Sequence, residues 1–311
     1  MNRNLVFLAC LTAGLSAHAF AYAATKQPAE KPTYQTAKQI IDAAPAEAWR
    51  MPDPSHVLYM DLANGKRVII ELAPDFAPQH VANIQALAHG GFWNGLSIYR
   101  AQDNYVVQFG DPDADDATKA RPLSANAKSK LPAEFERSSK GLPFHRLKDV
   151  DGWAPETGFS NGFPAARDPA THTAWMTHCY GTLGAGRGNE SDSSTGAELY
   201  VIIGDAPRGL DRNITVVGRV LQGMEYLSAT PRGPAPMGFF EDPTQRVPIQ
   251  SIRLESDVPA AERTPLQVLR TDTAWFDRAT EARRNRRDEW YKRPANHIGI
   301  CSISPVVRTP K

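Results

Sequence analysis

Cysteine is scarce: there are three in 311 residues, and their wide spacing excludes a C-x-x-C motif and a disulfide-dense small scaffold. Cys10 sits in the first apolar run. Cys179 and Cys301 can pair in an oxidising compartment or stay unrelated thiols, because spacing does not give the Cα separation that decides a bridge. No segment reaches about eighteen uninterrupted apolar residues, so no membrane-spanning helix is expected. Charge of one sign is also missing. Lys and Arg total 35 against 34 Asp and Glu, a net charge of +1, which leaves no global positive field for nucleic acid or an anionic membrane. No internal repeat is visible at periods of about 20–50 residues.

Common chemical signatures are absent too. Gly184-Ala185-Gly186-Arg187-Gly188 lacks the third glycine of a dinucleotide loop. Asp111, Asp113 and Asp115 alternate like a calcium loop, but Asp116 stands where glycine is needed and Pro122 where the closing glutamate belongs. His172, His178 and Cys179 are zinc-type donors without a companion motif, and Ser193-Ser194-Thr195 has no nucleophile elbow around it. Neither a metal nor a cofactor is expected.

What is there begins at the N-terminus. Asn2-Arg3-Asn4, an apolar run over 5–15 and small residues ending in Ala21-Tyr22-Ala23 follow the order of a secretory signal peptide. Residues 1–23 are therefore read as a leader, and the mature chain as exported across the inner membrane to the periplasm. Residues 24–54 read as an arm or linker with a short helix over 36–44. Two β-rich runs, 57–62 and 67–72, flank Asn64-Gly65, a dipeptide that supplies the positive φ angles of a tight hairpin turn. Val81, Ile84, Leu87 and Ala88 then recur at helical spacing until Gly90-Gly91. Strand-like runs follow at 97–100, 105–108, 197–203, 215–221 and 247–254. The stretch 113–176 is polar and Pro/Gly-punctuated, and it reads as an expanded loop. Beyond 258 lies a C-terminal extension. There Leu266, Val268, Leu269, Trp275 and Phe276 suggest a helix that becomes strongly charged over 277–293.

The order of these segments resembles the cyclophilin family of peptidyl-prolyl isomerases over residues 55–257. The resemblance is carried by Val68-Ile69-Ile70-Glu71-Leu72-Ala73-Pro74-Asp75-Phe76-Ala77-Pro78, Val81-Ala82-Asn83-Ile84 and Gly91-Phe92-Trp93-Asn94-Gly95. It continues through Ile98-Tyr99-Arg100, Tyr105-Val106-Val107-Gln108-Phe109-Gly110-Asp111-Pro112, Gly196-Ala197-Glu198-Leu199-Tyr200 and Leu210-Asp211-Arg212-Asn213-Ile214. It implies a mainly β fold, an eight-stranded antiparallel barrel capped by two helices, with proline-containing polypeptide bound in a groove on the outer face. By position, Arg100 matches the family's catalytic arginine and Gln108 its substrate-orienting glutamine. Tyr105, Val106 and Tyr200 match the proline pocket, and Gly186, Arg187, Glu198, Leu199, Leu210 and Ile214 complete the implied groove.

Several positions depart from the family. Tyr99 replaces a histidine, Arg187 stands near an asparagine, Glu198 replaces a glutamine, and Leu199 and Tyr200 replace two phenylalanines. Gly209 lies near the tryptophan of cyclosporin-sensitive members, and Ile214 takes the place of a histidine. Weak cyclosporin affinity is expected, and submicromolar binding in a titration would contradict it. A carboxylate at Glu198, beside Arg100, can pair with the guanidinium and compete with substrate for it, or orient Arg100 usefully. Two functions stay open here: isomerisation of X–Pro bonds in exported polypeptides, or a non-catalytic peptide-binding module or periplasmic chaperone. The terminal segments are further candidates for docking to an envelope assembly.

Overall fold

The computed structural model describes residues 34–114, 116–124 and 126–310. The leader reading at 1–23, Cys10 and Asp115 lie outside the described residues. Helix α1 (Ala37–Asp42) opens on a capping box in which Thr36 and Gln39 satisfy each other's backbone amides. The short strand β1 (Trp49–Arg50) follows. Next come β2 (Val57–Leu62) and β3 (Arg67–Leu72), joined through Gly65 at φ +79°. Helix α2 (Pro78–His89) places Pro78 at its first turn, where a missing N–H costs nothing, and buries Val81, Ile84 and Leu87. The chain continues through β4 (Ser97–Ala101) and β5 (Val106–Gly110).

Within the stretch read as a loop, residues 137–176 form a second sheet. It contains β6 (Arg137–Ser138), β7 (His145–Leu147), β8 (Glu156–Ser160), β9 (Phe163–Asp168) and β10 (Thr173–Met176), in the order β6-β10-β9-β8-β7. Its central strands are buried along successive positions, so the polar/apolar alternation that would have revealed them is missing. The barrel then resumes with β11 (Thr182–Ala185), β12 (Leu199–Ile202), β13 (Val216–Gln222), the five-residue α3 (Met224–Ser228) and β14 (Val247–Leu254). It closes antiparallel in the order β11-β12-β5-β4-β14-β2-β3-β13, with β13 pairing back to β11. Closure removes every exposed strand edge.

Inward residues of the barrel, among them Leu58, Met60, Ile70, Phe109, Leu183 and Val201, meet Ile84, Leu87 and Trp93 in one core. Each such side chain, fully buried, stabilises the fold by roughly 1.5–3 kcal/mol. The Trp93 indole donates to the Ala197 carbonyl at 2.8 Å, so its one polar atom is satisfied.

The described parts of the terminal segments, residues 34–54 and 258–310, pack against the rest of the chain. Strand β15 (Gln267–Leu269) lies between β1 and β16 (Val307–Arg308), and α4 (Ala274–Arg284) starts on a Thr273 cap. Residues 267–269 are thus strand where a helix was expected, and the charged stretch leaves the helix at Asn285. Outward-facing Val57, Tyr59 and Ile69 are covered by Val258, Leu266 and Val268. Another core joins Trp49, Leu147, Phe159, Cys179, Leu269, Phe276 and Ile300, so both termini and the inserted sheet share apolar contacts.

Cys179 and Cys301 are disulfide-bonded, their Cα atoms 4.9 Å apart across 122 residues of sequence. Cys301→Ser is expected to lower unfolding stability by about 2–5 kcal/mol. An unchanged denaturant midpoint under non-reducing conditions would show that the bridge does not form in solution.

Ion pairs set the acid response. Burial works against the Asp149 carboxylate, but hydrogen bonds from the Arg284 guanidinium and the Ile298 amide outweigh it and hold its pKa below the usual range. Glu281 is lowered to about 2, first by the Asn285 hydrogen bond and then by Lys148. With folded pKa values below unfolded ones, the stabilisation is complete above the unfolded values of about 4 and is lost as pH falls toward about 2. Urea midpoints should therefore match at pH 6 and 7 and fall at pH 3; a midpoint unchanged at pH 3 would remove these groups from the account.

Candidate active site

Strands β12, β5 and β4 present one outer face. Tyr200 pairs with Gln108, Gln108 pairs with Arg100, and an isolated bridge carries the row on to Phe239. The register shifts between Ile98 and Arg100, a bulge that gives β4 an extra residue opposite β5 and re-aims its side chain. That residue is Tyr99, and both it and Arg100 reach Gln108.

The polar contacts form a chain. One Arg100 terminal nitrogen donates to Gln108 Oε1 at 3.0 Å, the other donates to Gln102 Oε1, and Nε donates to the Met237 carbonyl at 2.7 Å. Gln108 Nε2 donates to Tyr99 Oη at 2.6 Å, and Tyr99 Oη donates to Glu198 Oε2 at 2.6 Å. Glu198 Oε1 accepts from the Asp111 amide at 2.6 Å. Glu198 thus binds the Tyr99 hydroxyl and the Asp111 amide, and the Arg100 donors have the partners just named. Tyr99 and Glu198, two departures from the family read separately, act as one pair that fixes which way the Gln108 amide points. Burial first, then the Glu198 charge, pushes the Tyr99 phenol far above its ordinary pKa, so it remains a donor. Burial also lowers the Arg100 pKa, with Tyr105 and Tyr99 opposing, but a guanidinium stays protonated.

Beside this chain lies an apolar cluster: Val106, Tyr200 and Ile202 are buried together, with the partly buried Tyr105 and Ile214 packed against them. Tyr200 lies so close over Gly184 that a Cβ there would meet its ring at 2.2 Å, a reason for glycine at that position. Below the cluster His178 is fully buried, its Nδ1 2.9 Å from Asp211 Oδ1 and its Nε2 2.9 Å from Tyr200 Oη. Asp211 is an acceptor held below its usual pKa range: burial opposes this, and hydrogen bonds from His178 and Arg208 overcome it. Nδ1 therefore donates to Asp211, and Nε2 shares a hydrogen bond with the Tyr200 hydroxyl. His178 and Cys179, considered above as zinc donors, are occupied by this relay and by the disulfide. No group of three or more metal-type ligands occurs among the described residues.

Not every implied groove residue is in the groove. Leu199 is a correction: it is fully buried in the barrel core, since strand alternation turns it inward between Glu198 and Tyr200. Gly186 hydrogen-bonds the Glu198 backbone at the end of β11, and Arg187 is tied to the Asn213, Gly188 and Asn189 carbonyls. Leu210 is half-buried in the 208–210 turn, outside the apolar cluster. Tyr99, Gln102, His178 and Asp211 were missed as site residues. Only Tyr99 carried a sequence signal, its departure from the family in step with Glu198.

A closed antiparallel barrel with an arginine, an oriented amide and an apolar cluster side by side on its outer wall is a fold and site of the cyclophilin class. The family model for cyclophilin-type peptidyl-prolyl cis-trans isomerases matches residues 57–254. The chain belongs to that family. It is 27% identical over 181 residues to a probable peptidyl-prolyl cis-trans isomerase of Brucella suis, covering 58% of this chain and 74% of that one. It is 41% identical over 54 residues to peptidyl-prolyl cis-trans isomerase B of Bacillus subtilis, which covers 17% of this chain and 38% of the relative. Among solved structures, the cyclophilin AquaCyp293 from Hirschia baltica superposes with a TM-score of 0.67 at 24% identity, over 90% of this chain and all (100%) of that one. That likeness in fold runs beyond the barrel into the added elements.

Proposed function

We propose that this chain is an exported peptidyl-prolyl cis–trans isomerase that assists folding of proline-containing polypeptides in the periplasm. The observation that carries the reading is Arg100. A guanidinium has five N–H groups; three are spent on Gln108, Gln102 and Met237, which leaves two for a bound peptide next to the apolar cluster.

An X–Pro amide rotates over a barrier of about 18–20 kcal/mol because its C–N bond has partial double-bond character. Twisting breaks that conjugation and makes the prolyl nitrogen a better hydrogen-bond acceptor. A fixed cationic donor at that point favours the twisted state over either planar one, which is differential binding. The prolyl ring would lie against Tyr105, Val106 and Tyr200, with Ile202 fully buried in the same cluster, while Gln108, oriented by Tyr99, holds a neighbouring carbonyl. Lowering the barrier by about 5–7 kcal/mol gives roughly 10⁴–10⁵-fold acceleration.

The leader pattern at 1–23 supports export, and the Cys179–Cys301 bridge supports an oxidising compartment. No helix among the described residues is long and apolar enough to cross a membrane. An envelope partner would dock on the outer faces of the terminal segments, whose inner faces are occupied by the barrel and the inserted sheet. A protease-free spectroscopic assay on an X–Pro peptide tests the activity. Acceleration is expected; binding without acceleration would leave a non-catalytic peptide-binding protein.

A further inference from the structure

The row Tyr200–Gln108–Arg100 does not end at the arginine. Residues 237–240 lie along the second half of β4: the Ala101 amide donates to the Gly238 carbonyl at 2.8 Å, and the Phe240 amide donates to the Tyr99 carbonyl at 2.9 Å. The segment is pinned at both ends. Phe240 is buried in the barrel core, and Gly238, at φ +75°, approaches so closely that a Cβ would sit 2.5 Å from the Ala101 oxygen. Phe239, at 41% exposure, faces outward between these anchors, and Met237, at 48%, is exposed just before them. Phe239 is stacked on Tyr99 with ring centroids 6.1 Å apart, and the Arg100 guanidinium carbon lies 4.9 Å from its ring. Exposed apolar side chains on a mobile loop need no explanation, but Phe239 held against the arginine of the groove, with Met237 exposed two residues away and its carbonyl bound by Arg100, presents a surface for something.

We infer that Met237 and Phe239 form a second subsite of the peptide groove, which takes a large apolar or aromatic residue of the polypeptide whose proline lies against Val106 and Tyr200. The inference rests on the groove reading above and adds sequence preference to it. Continuity identifies the occupant: Arg100 and Phe239 are bridge partners, about 4.8 Å apart across the strands, and an extended chain advances about 3.3 Å per residue. The residue over Phe239 therefore lies within about two positions of the bond that Arg100 addresses. No separate partner has to be invoked, since one extended strand passes over both places.

The test uses the purified mature chain and a set of alanine-based peptides, each with one proline and with a single phenylalanine moved through the two positions on either side. Dissociation constants are read by titration and isomerisation by spectroscopy on the same set. At one position phenylalanine is expected to tighten binding about fivefold or more over alanine, in the range of a single buried apolar contact. That ratio should fall to about twofold or less in Phe239→Ala and in Met237→Ser; the second variant keeps Phe239 beneath Arg100. Circular dichroism and thermal midpoints confirm that both variants are folded. Equal affinity at every position, or a preference that survives both substitutions, overturns the subsite. Binding preference without acceleration supports the subsite and sinks the isomerase reading; acceleration without preference does the reverse.

Discussion

Glu71→Ala is expected to destabilise the protein by about 3–5 kcal/mol, because it leaves a guanidinium buried without its counter-charge. Glu71 and Arg219 are both 4% exposed and paired at 3.0 Å, while Arg50 reaches the other Glu71 oxygen at 2.6 Å. Burial opposes ionisation of Glu71, but Arg219, with Arg50, outweighs it and keeps the carboxyl below its usual range. Arg219 also donates to the Gly162 carbonyl and lies over the Phe163 ring, and Arg50 donates to the Asn161 carbonyl. One carboxylate on a barrel strand thus anchors the N-terminal segment and the inserted sheet together. The double variant Glu71→Leu with Arg219→Met should recover most of the loss, since a buried pair replaced by apolar residues of similar volume is often neutral or better. Urea denaturation of the three proteins reads both effects. A loss under about 1 kcal/mol in Glu71→Ala would mean that water reaches the site and solvates Arg219.

Arg100→Ala is expected to reduce kcat/KM for an X–Pro peptide at least about tenfold, equivalent to about 1.4 kcal/mol of transition-state stabilisation. The loss should fall mainly on kcat, because the proline site proposed above is made by other residues. Arg100→Lys keeps the charge but loses the planar fork that reaches Gln108, Gln102 and Met237 together, and it should recover little. If both variants turned over peptide like the wild type, Arg100 would be no more than a structural tie between β4 and residue 237. The Tyr99 and Glu198 pair predicts the same direction with a smaller effect, since they act on the amide of Gln108 and not on the prolyl nitrogen.

Much of the barrel was legible before any tertiary information. The Asn64-Gly65 turn gave the first hairpin, the spacing of Val81, Ile84 and Leu87 gave α2, and the run 247–254 proved to be β14 to the residue. These are local signals, in which a dihedral requirement or a one-sided apolar pattern is written within a dozen residues. The added elements escaped for the opposite reason. Strands β8 and β9 are buried along successive residues, and β15 is three residues long, so neither shows the alternation that distinguishes a strand.

The site divides along the same line. The resemblance to the cyclophilin family implied one groove for Arg100, Gln108, Tyr105, Val106 and Tyr200, and strand pairing sets Arg100, Gln108 and Tyr200 in register. Leu199, one residue from Tyr200, went inward because the strand's two-residue period assigns faces only once its register is fixed. Tyr99 joined Glu198 across 99 positions, His178 joined Asp211 across 33, and Cys179 met Cys301 across 122. Local sequence carries the conformation and chemistry of each segment. Which carboxylate neutralises which cation, and which hydroxyl orients which amide, depends on distances that exist only after the barrel has closed and its two flanking layers have packed.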